Sequence, residues 1–171
     1  LISDAGTLKR VDYSYLKSAN TPYFQAYRNA ALTITSGTWT KITFDTEDFD
    51  TANGFDTSTG KYTIQSGQAG KYFIGYSIRS SANGNSNCVR IFSYGEKVDT
   101  GGTSVNFGNA SLDFRNNYGE GGSLDGSAIL NCAVGDAIQV NLYHQTVNSG
   151  DVVVTEGGYR PTYIYGYKII E

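Results

Sequence analysis

Between Lys41 and Tyr76 the chain sets aromatic residues at long, regular intervals and fills the gaps with turn-formers. Phe44, Phe55, Tyr62, Tyr72 and Tyr76 are the anchors, and Thr51-Ala52-Asn53-Gly54, Ser58-Thr59-Gly60 and Ser66-Gly67-Gln68-Ala69-Gly70 are the breaks. Anchors this sparse, divided by Gly-rich breaks, leave most of the apolar stripe of a helix unfilled, since that stripe needs an apolar residue every three or four positions. They suit short strands that each place one ring in a common core. The same alternation continues on both sides, predicting strands at 23–27, 31–34, 39–44, 61–65, 71–79, 88–94, 104–107, 123–133, 137–146, 152–156 and 163–170, with turns roughly every 8 to 12 residues. Strands 61–65 and 71–79 read as a hairpin. No run has helical periodicity, so the chain reads as all-β.

Composition narrows the class further. The 171 residues include 21 Gly and 14 Tyr but no Met and one His, and charged residues make up 17% with a net charge of -3. Gly supplies turns and Tyr suits a pleated, half-buried surface. Without clustered Lys and Arg there is no footprint for a phosphate backbone, so a nucleic-acid partner is not expected. No apolar run approaches the roughly 20 residues of a membrane span, and insertion into a membrane is not expected either. A chain that lacks Met and begins at Leu1 reads as a piece of a longer product.

The Lys41–Tyr76 stretch resembles the signature of the C1q/TNF-like jelly rolls. In that signature a Phe is followed six residues on by an acidic residue or Asn. An aromatic comes five later and a Phe seven further, before a closing Gly-x-Tyr-x-Phe-x-aromatic. Phe44, Asp50 and Phe55 fall in register, Tyr62 stands at the third aromatic position, and Gly70, Tyr72 and Tyr76 complete the ending. The spacer from Tyr62 to Gly70 is two residues longer than in the family, and Ile74 replaces its last Phe. Leu124–Leu130 and Val134–Val140, split by Gly135-Asp136, are similar to the family's penultimate hairpin, and Tyr163-Ile164-Tyr165-Gly166-Tyr167 to its closing strand. The resemblance implies a C1q/TNF-like jelly-roll sandwich over residues 21–171.

Residues 1–20 differ in character: a turn at Asp4-Ala5-Gly6 precedes a run with apolar Leu8, Val11, Tyr13, Tyr15 and Leu16. This stretch is similar to the short β-elements near the ends of bacteriophage fibre stalks and is expected to be an N-terminal β arm or stalk end.

The closing strand presents Tyr163, Tyr165, Tyr167 and Ile169 on one face and Ile164, Gly166, Lys168 and Ile170 on the other. A strand that is apolar on both faces is normally covered on both. One cover is the opposite sheet; the other is a loop of the same chain or, as the resemblance implies, two further copies. A homotrimer interface is therefore expected on Tyr23, Tyr27, Tyr163, Tyr165, Tyr167 and Ile169.

Catalytic readings find little support. His144 alone cannot supply a two-histidine metal site, and it reads as a structural imidazole. Cys88 and Cys132 are two buried thiols or, if their strands are neighbours, one disulfide. The acidic run Asp45, Glu47, Asp48, Asp50 offers oxygens to Ca²⁺ or is solvated loop charge, and it lacks EF-hand spacing. No cofactor, metal or catalytic residue is assigned. Asn109-Ala110-Ser111 spells a glycosylation acceptor that needs a eukaryotic secretory setting to matter.

Two loops rich in Asn, Ser and Gly, 80–87 and 116–122, combine small adaptable donors with Tyr118. They read as recognition loops or as ordinary hairpin tips, and Asn83, Asn85, Asn87, Asn117, Tyr118 and Glu120 are the candidates. The expected function is that of a non-enzymatic trimeric fibre head on the virion surface. It would bind a host cell-surface glycan or protein and join other virion proteins through its N-terminal arm. Capsid decoration and a free secreted ligand-binding module are the alternatives.

Overall fold

The computed structural model describes residues 2–4, 7–9, 22–82, 87–148, 152–154 and 161–169. Within them lie fifteen strands and no helix. Strands β1 (Ile2–Asp4) and β2 (Thr7–Lys9) pair with each other, Asp4 opposite Thr7; Ala5 and Gly6 of the expected turn lie outside the described residues. Residues 10–21, the rest of the expected arm, lie outside the described residues.

The other thirteen strands form two antiparallel sheets. One contains β3 (Tyr23–Tyr27), β4 (Leu32–Ile34), β6 (Thr46–Asp50), β9 (Gly70–Ser81), β12 (Gly121–Cys132), β14 (Val152–Val154) and β15 (Tyr163–Lys168). Its order is β4-β14-β9-β15-β3-β6, with β12 on the far side of β9. The other contains β5 (Thr40–Lys41), β7 (Phe55–Asp56), β8 (Lys61–Thr63), β10 (Cys88–Val98), β11 (Ser104–Asp113) and β13 (Ala137–Thr146), with β13 central between β10 and β8.

The sheets close on a core to which nearly every strand gives alternate residues. Phe24, Ala26, Tyr72, Ile74, Tyr76, Ile78 and Ile164 come from one side; Tyr62, Ile91, Ile138, Val140 and Leu142 come from the other. The aromatic anchors read from the sequence are all here: Phe44, Tyr62 and Tyr72 are wholly buried, and Phe55 packs against them. Ile74, at the family's Phe position, is also fully buried.

Two expected hairpins are not hairpins. β8 pairs with β13 and β9 with β12, β14 and β15, so the 61–65 and 71–79 segments lie in opposite sheets and Gln65–Gly70 crosses between them. Likewise β12 pairs with β9 while β13 pairs with β10, so the turn at Gly135 and Asp136 crosses back. The turn chemistry was read correctly (Gly135 has φ +87°) but a tight turn does not say whether the chain stays in its sheet. The two crossings bond to each other: Ile64 N–H donates to Asp136 O and Gly135 N–H to Ile64 O, each at 2.9 Å. The strand expected at 39–44 is only Thr40–Lys41, because Ile42 and Phe44 turn into the core beyond it. Of the acidic run, Glu47, Asp48 and Asp50 lie not in a loop but in β6, paired with β3, and Asp45 just precedes it.

Candidate functional site

β15 lies between β3 and β9, which places the tyrosines in rows across the outer face of the larger sheet. Tyr167 stands opposite Tyr23 on one side and Phe73 on the other, Tyr165 between Gln25 and Gly75, and Tyr163 between Tyr27 and Ser77. Ile164 and Gly166 point inward and are buried, so parity sends the tyrosines outward. Phe73 stacks on Tyr167 with ring centroids 5.4 Å apart and adjoins Tyr165 at 6.0 Å; Tyr163 and Tyr165 adjoin at 5.9 Å. Tyr23 meets Phe49 edge-on at 5.4 Å.

Gly75 lets this surface lie flat, since a Cβ there would come within 2.6 Å of the Tyr165 ring. Burial first, then the neighbouring Tyr163 and Tyr167 and the charge of Asp125, raise the pKa of Tyr165. Ile169 is half-buried, its N–H donating to Lys71 O at 2.7 Å.

Five of the six expected interface residues are thus brought together in one strand pair, with Ile169 just beyond its end. Phe73, Phe49 and Ile129, not among the expected residues, belong to the same outer face; Phe49 is 43% and Ile129 63% exposed. The signal was available for Phe73: it alternates with Tyr72 and Ile74, which face the core.

The second group of candidates gathers at one end of the sandwich. Asn87, Asn117, Tyr118 and Glu120 lie around an isolated bridge between Cys88 and Gly119, and Glu120 O accepts from Ala82 N–H. Tyr118 is half-exposed, and Asn117 and Glu120 are exposed. Asn83 and Asn85 lie outside the described residues. Beside them Asp113, Phe114, Arg115, Asn116 and Asn117 line a depression of 630 Å³. Arg115 pairs with Asp113 there on an open surface, which contributes little to stability.

The remaining chemistry is structural. His144 is fully buried, with Nδ1 2.9 Å from the Ser80 hydroxyl, and burial lowers its pKa to about 4. Cys88 and Cys132 are free and buried in opposite sheets, and burial pushes both thiols up to about 11, the reverse of what a nucleophile requires.

In the acidic run, Asp50 accepts from the N–H groups of Ala52 (3.0 Å) and Phe55 (2.7 Å). Asp45 accepts from those of Asn29 and Ala30 and pairs with Arg28 at 3.3 Å. Burial opposes the charge of Asp45, but these partners and the Thr46 hydroxyl outweigh it and hold the carboxyl below the usual range. Carboxylates occupied in this way are turn fasteners, and among the described residues no cluster is arranged to hold a metal.

No protein-family model and no curated protein matches the chain. Solved structures do. The globular domain of zebrafish complement 1qA superimposes with a TM-score of 0.60 at 16% identity, covering 88% of this chain and 99% of that one. Murine APRIL superimposes with TM-scores of 0.61 and 0.62 at 9% and 8% identity, covering 86% of this chain and 98% of that one. The fold is therefore a C1q/TNF-like jelly-roll sandwich.

Proposed function

We propose that the chain is the head of a homotrimeric, non-enzymatic recognition protein. Three copies pack about an axis through the tyrosine face, and their recognition loops are presented outward. The observation that carries this is the outer face of the larger sheet, where Tyr23, Phe49, Tyr163, Tyr165, Tyr167, Phe73 and Ile129 form one contiguous apolar surface. Single exposed apolar residues are ordinary, but a continuous patch rimmed by polar residues marks an interface. The fold of complement 1qA and APRIL supports the same reading.

Placement on a virion, at the end of a bacteriophage fibre, is the finer part of the proposal. It rests on the likeness of the first twenty residues to fibre-stalk elements and on the short β1–β2 pair formed there. Recognition would then act by avidity, three weak identical sites on one rigid head binding far more tightly than one.

Light scattering tests the assembly. A mass of about 55 kDa, three times 18.5 kDa, is expected; 18.5 kDa would overturn the trimer. Saturable adsorption of labelled head to host cells tests the recognition role, and a stable trimer that adsorbs to none would leave capsid decoration or a free secreted ligand-binding module.

A further inference from the structure

Trp39 is the only tryptophan of the chain, and it is 48% exposed even though it is firmly placed. The turn before it is tied to β13. Gly37 N–H donates to His144 O at 2.8 Å, and Thr146 N–H donates to the Ser36 hydroxyl at 2.9 Å. The indole leans on Tyr94 at 4.8 Å and on Tyr143 at 5.5 Å between ring centroids, and Phe92 adjoins Tyr143 at 5.9 Å. Arg90 braces the far side: its guanidinium lies 5.7 and 5.8 Å from the Phe92 and Tyr143 ring centres and donates to Gln145 Oε1 at 2.7 Å. The outer face of the smaller sheet thus carries a rigid aromatic plate across β10 and β13.

The strand beside the plate is bent to face it. The β10–β11 register slips between Ser93, opposite Ala110, and Gly95, opposite Phe107, so Gly108 and Asn109 together stand against Tyr94. Gly108 has φ +57°, as this bulge requires, and Tyr76 donates its hydroxyl to the Gly108 carbonyl. Bulges redirect side chains. Here Phe107 turns in over Gly95 while Asn109 stays exposed.

The result is a depression of 370 Å³ with Trp39, Phe92 and Tyr94 on one side and Asn106, Asn109 and Ser111 on the other. Its lining has no charged side chain. Among the described residues, no protein group hydrogen-bonds the Trp39 indole N–H or the side chains of Asn106, Asn109 and Ser111.

We infer that this depression is a binding site for a neutral pyranose sugar. Such a ring has an apolar C–H face, which lies flat on the Trp39–Tyr94 plate, and an equatorial belt of hydroxyls. Each hydroxyl both donates and accepts, as do the amides of Asn106 and Asn109 and the hydroxyl of Ser111. The absence of charge in the lining selects against acidic sugars, for which a cation would be placed. The volume fits the lower range of small-molecule sites. This inference rests on the reading of the chain as a recognition head and names its ligand class, and it puts the contact on the flank of each protomer instead of the loop end.

A sole tryptophan makes the site report on itself. The intact chain is titrated with the methyl glycosides of glucose, galactose, mannose and N-acetylglucosamine while tryptophan emission and ¹H–¹⁵N resonances are followed. N-acetylneuraminic acid and a proline-rich peptide serve as controls. At least one neutral glycoside is expected to shift the emission saturably, with Kd on the order of millimolar, and to move the resonances of Trp39, Tyr94 and Asn109. Trp39→Ala and Asn109→Ala should each weaken binding about tenfold or more by calorimetry, and Trp39→Phe should keep part of it.

The site is refuted if no glycoside moves emission or resonances, if the acidic sugar or the peptide is the better ligand, or if folded Trp39→Ala binds undiminished. The two readings fail separately. A head that adsorbs to cells equally well with Trp39→Ala keeps its recognition role and loses this site. A head that adsorbs to nothing but takes a glycoside at Trp39 loses the recognition role and keeps the site.

Discussion

Phe24 and Tyr62 stack face to face across the two sheets, with ring centroids 3.8 Å apart and planes 9° from parallel. Tyr62 is wholly buried, its hydroxyl has no well-formed hydrogen bond among the described residues, only an electrostatic contact with Tyr72, and burial drives its pKa far above that of an ordinary phenol. An apolar replacement that keeps the ring removes an unsatisfied group. Tyr62→Phe is therefore expected to leave unfolding free energy unchanged or raise it by up to about 1 kcal/mol. Tyr62→Ala, which deletes the bridge, should cost about 4 kcal/mol. Urea unfolding of the three proteins decides between them, and a Phe variant clearly weaker than wild type would mean that the hydroxyl has a partner.

His144 should make the fold acid-sensitive. Its folded pKa of about 4 lies below the 6.5 of the unfolded chain, so between these values the unfolded state takes up a proton that the buried ring refuses. Stability then falls as pH drops from 6.5 towards 4, at about 1.4 kcal/mol per unit and by about 3 kcal/mol in all. His144→Asn should flatten that part of the profile in denaturant unfolding from pH 7 to 4. An unchanged slope would assign the acid sensitivity to carboxylates.

Arg28 is 6% exposed, and its guanidinium ties two backbone segments, 30–31 and 43–45, together. Nε and Nη2 donate to Ala30 O at 2.9 and 2.6 Å, Nη1 donates to Thr43 O at 2.9 Å, and Asp45 sits alongside. Arg28→Met leaves these acceptors unsatisfied and should destabilise by about 3 kcal/mol. Arg28→Lys should recover little, because an ammonium group cannot reproduce the planar fork. Thermal unfolding of both variants checks this.

The tyrosine face gives a prediction for assembly. Tyr165→Ser with Tyr167→Ser removes two outward rings and leaves the inward Ile164 and Gly166 untouched. The fold should survive with its mass reduced from about 55 kDa to 18.5 kDa. Gly75→Ala should act in the same direction more weakly, by lifting the Tyr165 ring. A double variant that stays at about 55 kDa would move the interface elsewhere.

What the sequence disclosed and what it hid follow from how each is encoded. Inward anchors such as Phe44, Tyr62 and Tyr72 are set by strand period and turn spacing, both local, so the core and the fold class could be read directly. The closing strand was legible for the same reason: Tyr163, Tyr165 and Tyr167 alternate with Ile164 and Gly166. Sheet membership is not local. Gln65–Gly70 and the Gly135 turn look like hairpin tips, and only the pairing of β8 and β13 with other strands shows that each crosses the sandwich. The Trp39 plate was invisible for a related reason, since Trp39, Tyr94, Asn109 and Tyr143 are scattered through the chain and meet only because β10, β11 and β13 are neighbours. The lone tryptophan, at the head of the strand expected at 39–44, was the one hint.

The mutual bonding of the two crossings near Ile64 and Gly135 divides the molecule into a locked end and an open one. At the locked end, where Tyr23 and Lys168 also lie, Lys168 N–H bonds to Pro22 O and Ile169 N–H to Lys71 O, so any change in length there disturbs several strands together. At the open end the 114–120 segment is held at its margins, where Phe114 N–H bonds to Val89 O and Cys88 N–H to Gly119 O. Between them Arg115, Asn116, Asn117 and Tyr118 are exposed, and lengthening an exposed tip costs only fractions of a kcal/mol. Insertions should therefore be tolerated at that exposed tip and not at the crossing near Ile64 and Gly135, where each added residue would break the bonds between the two crossings.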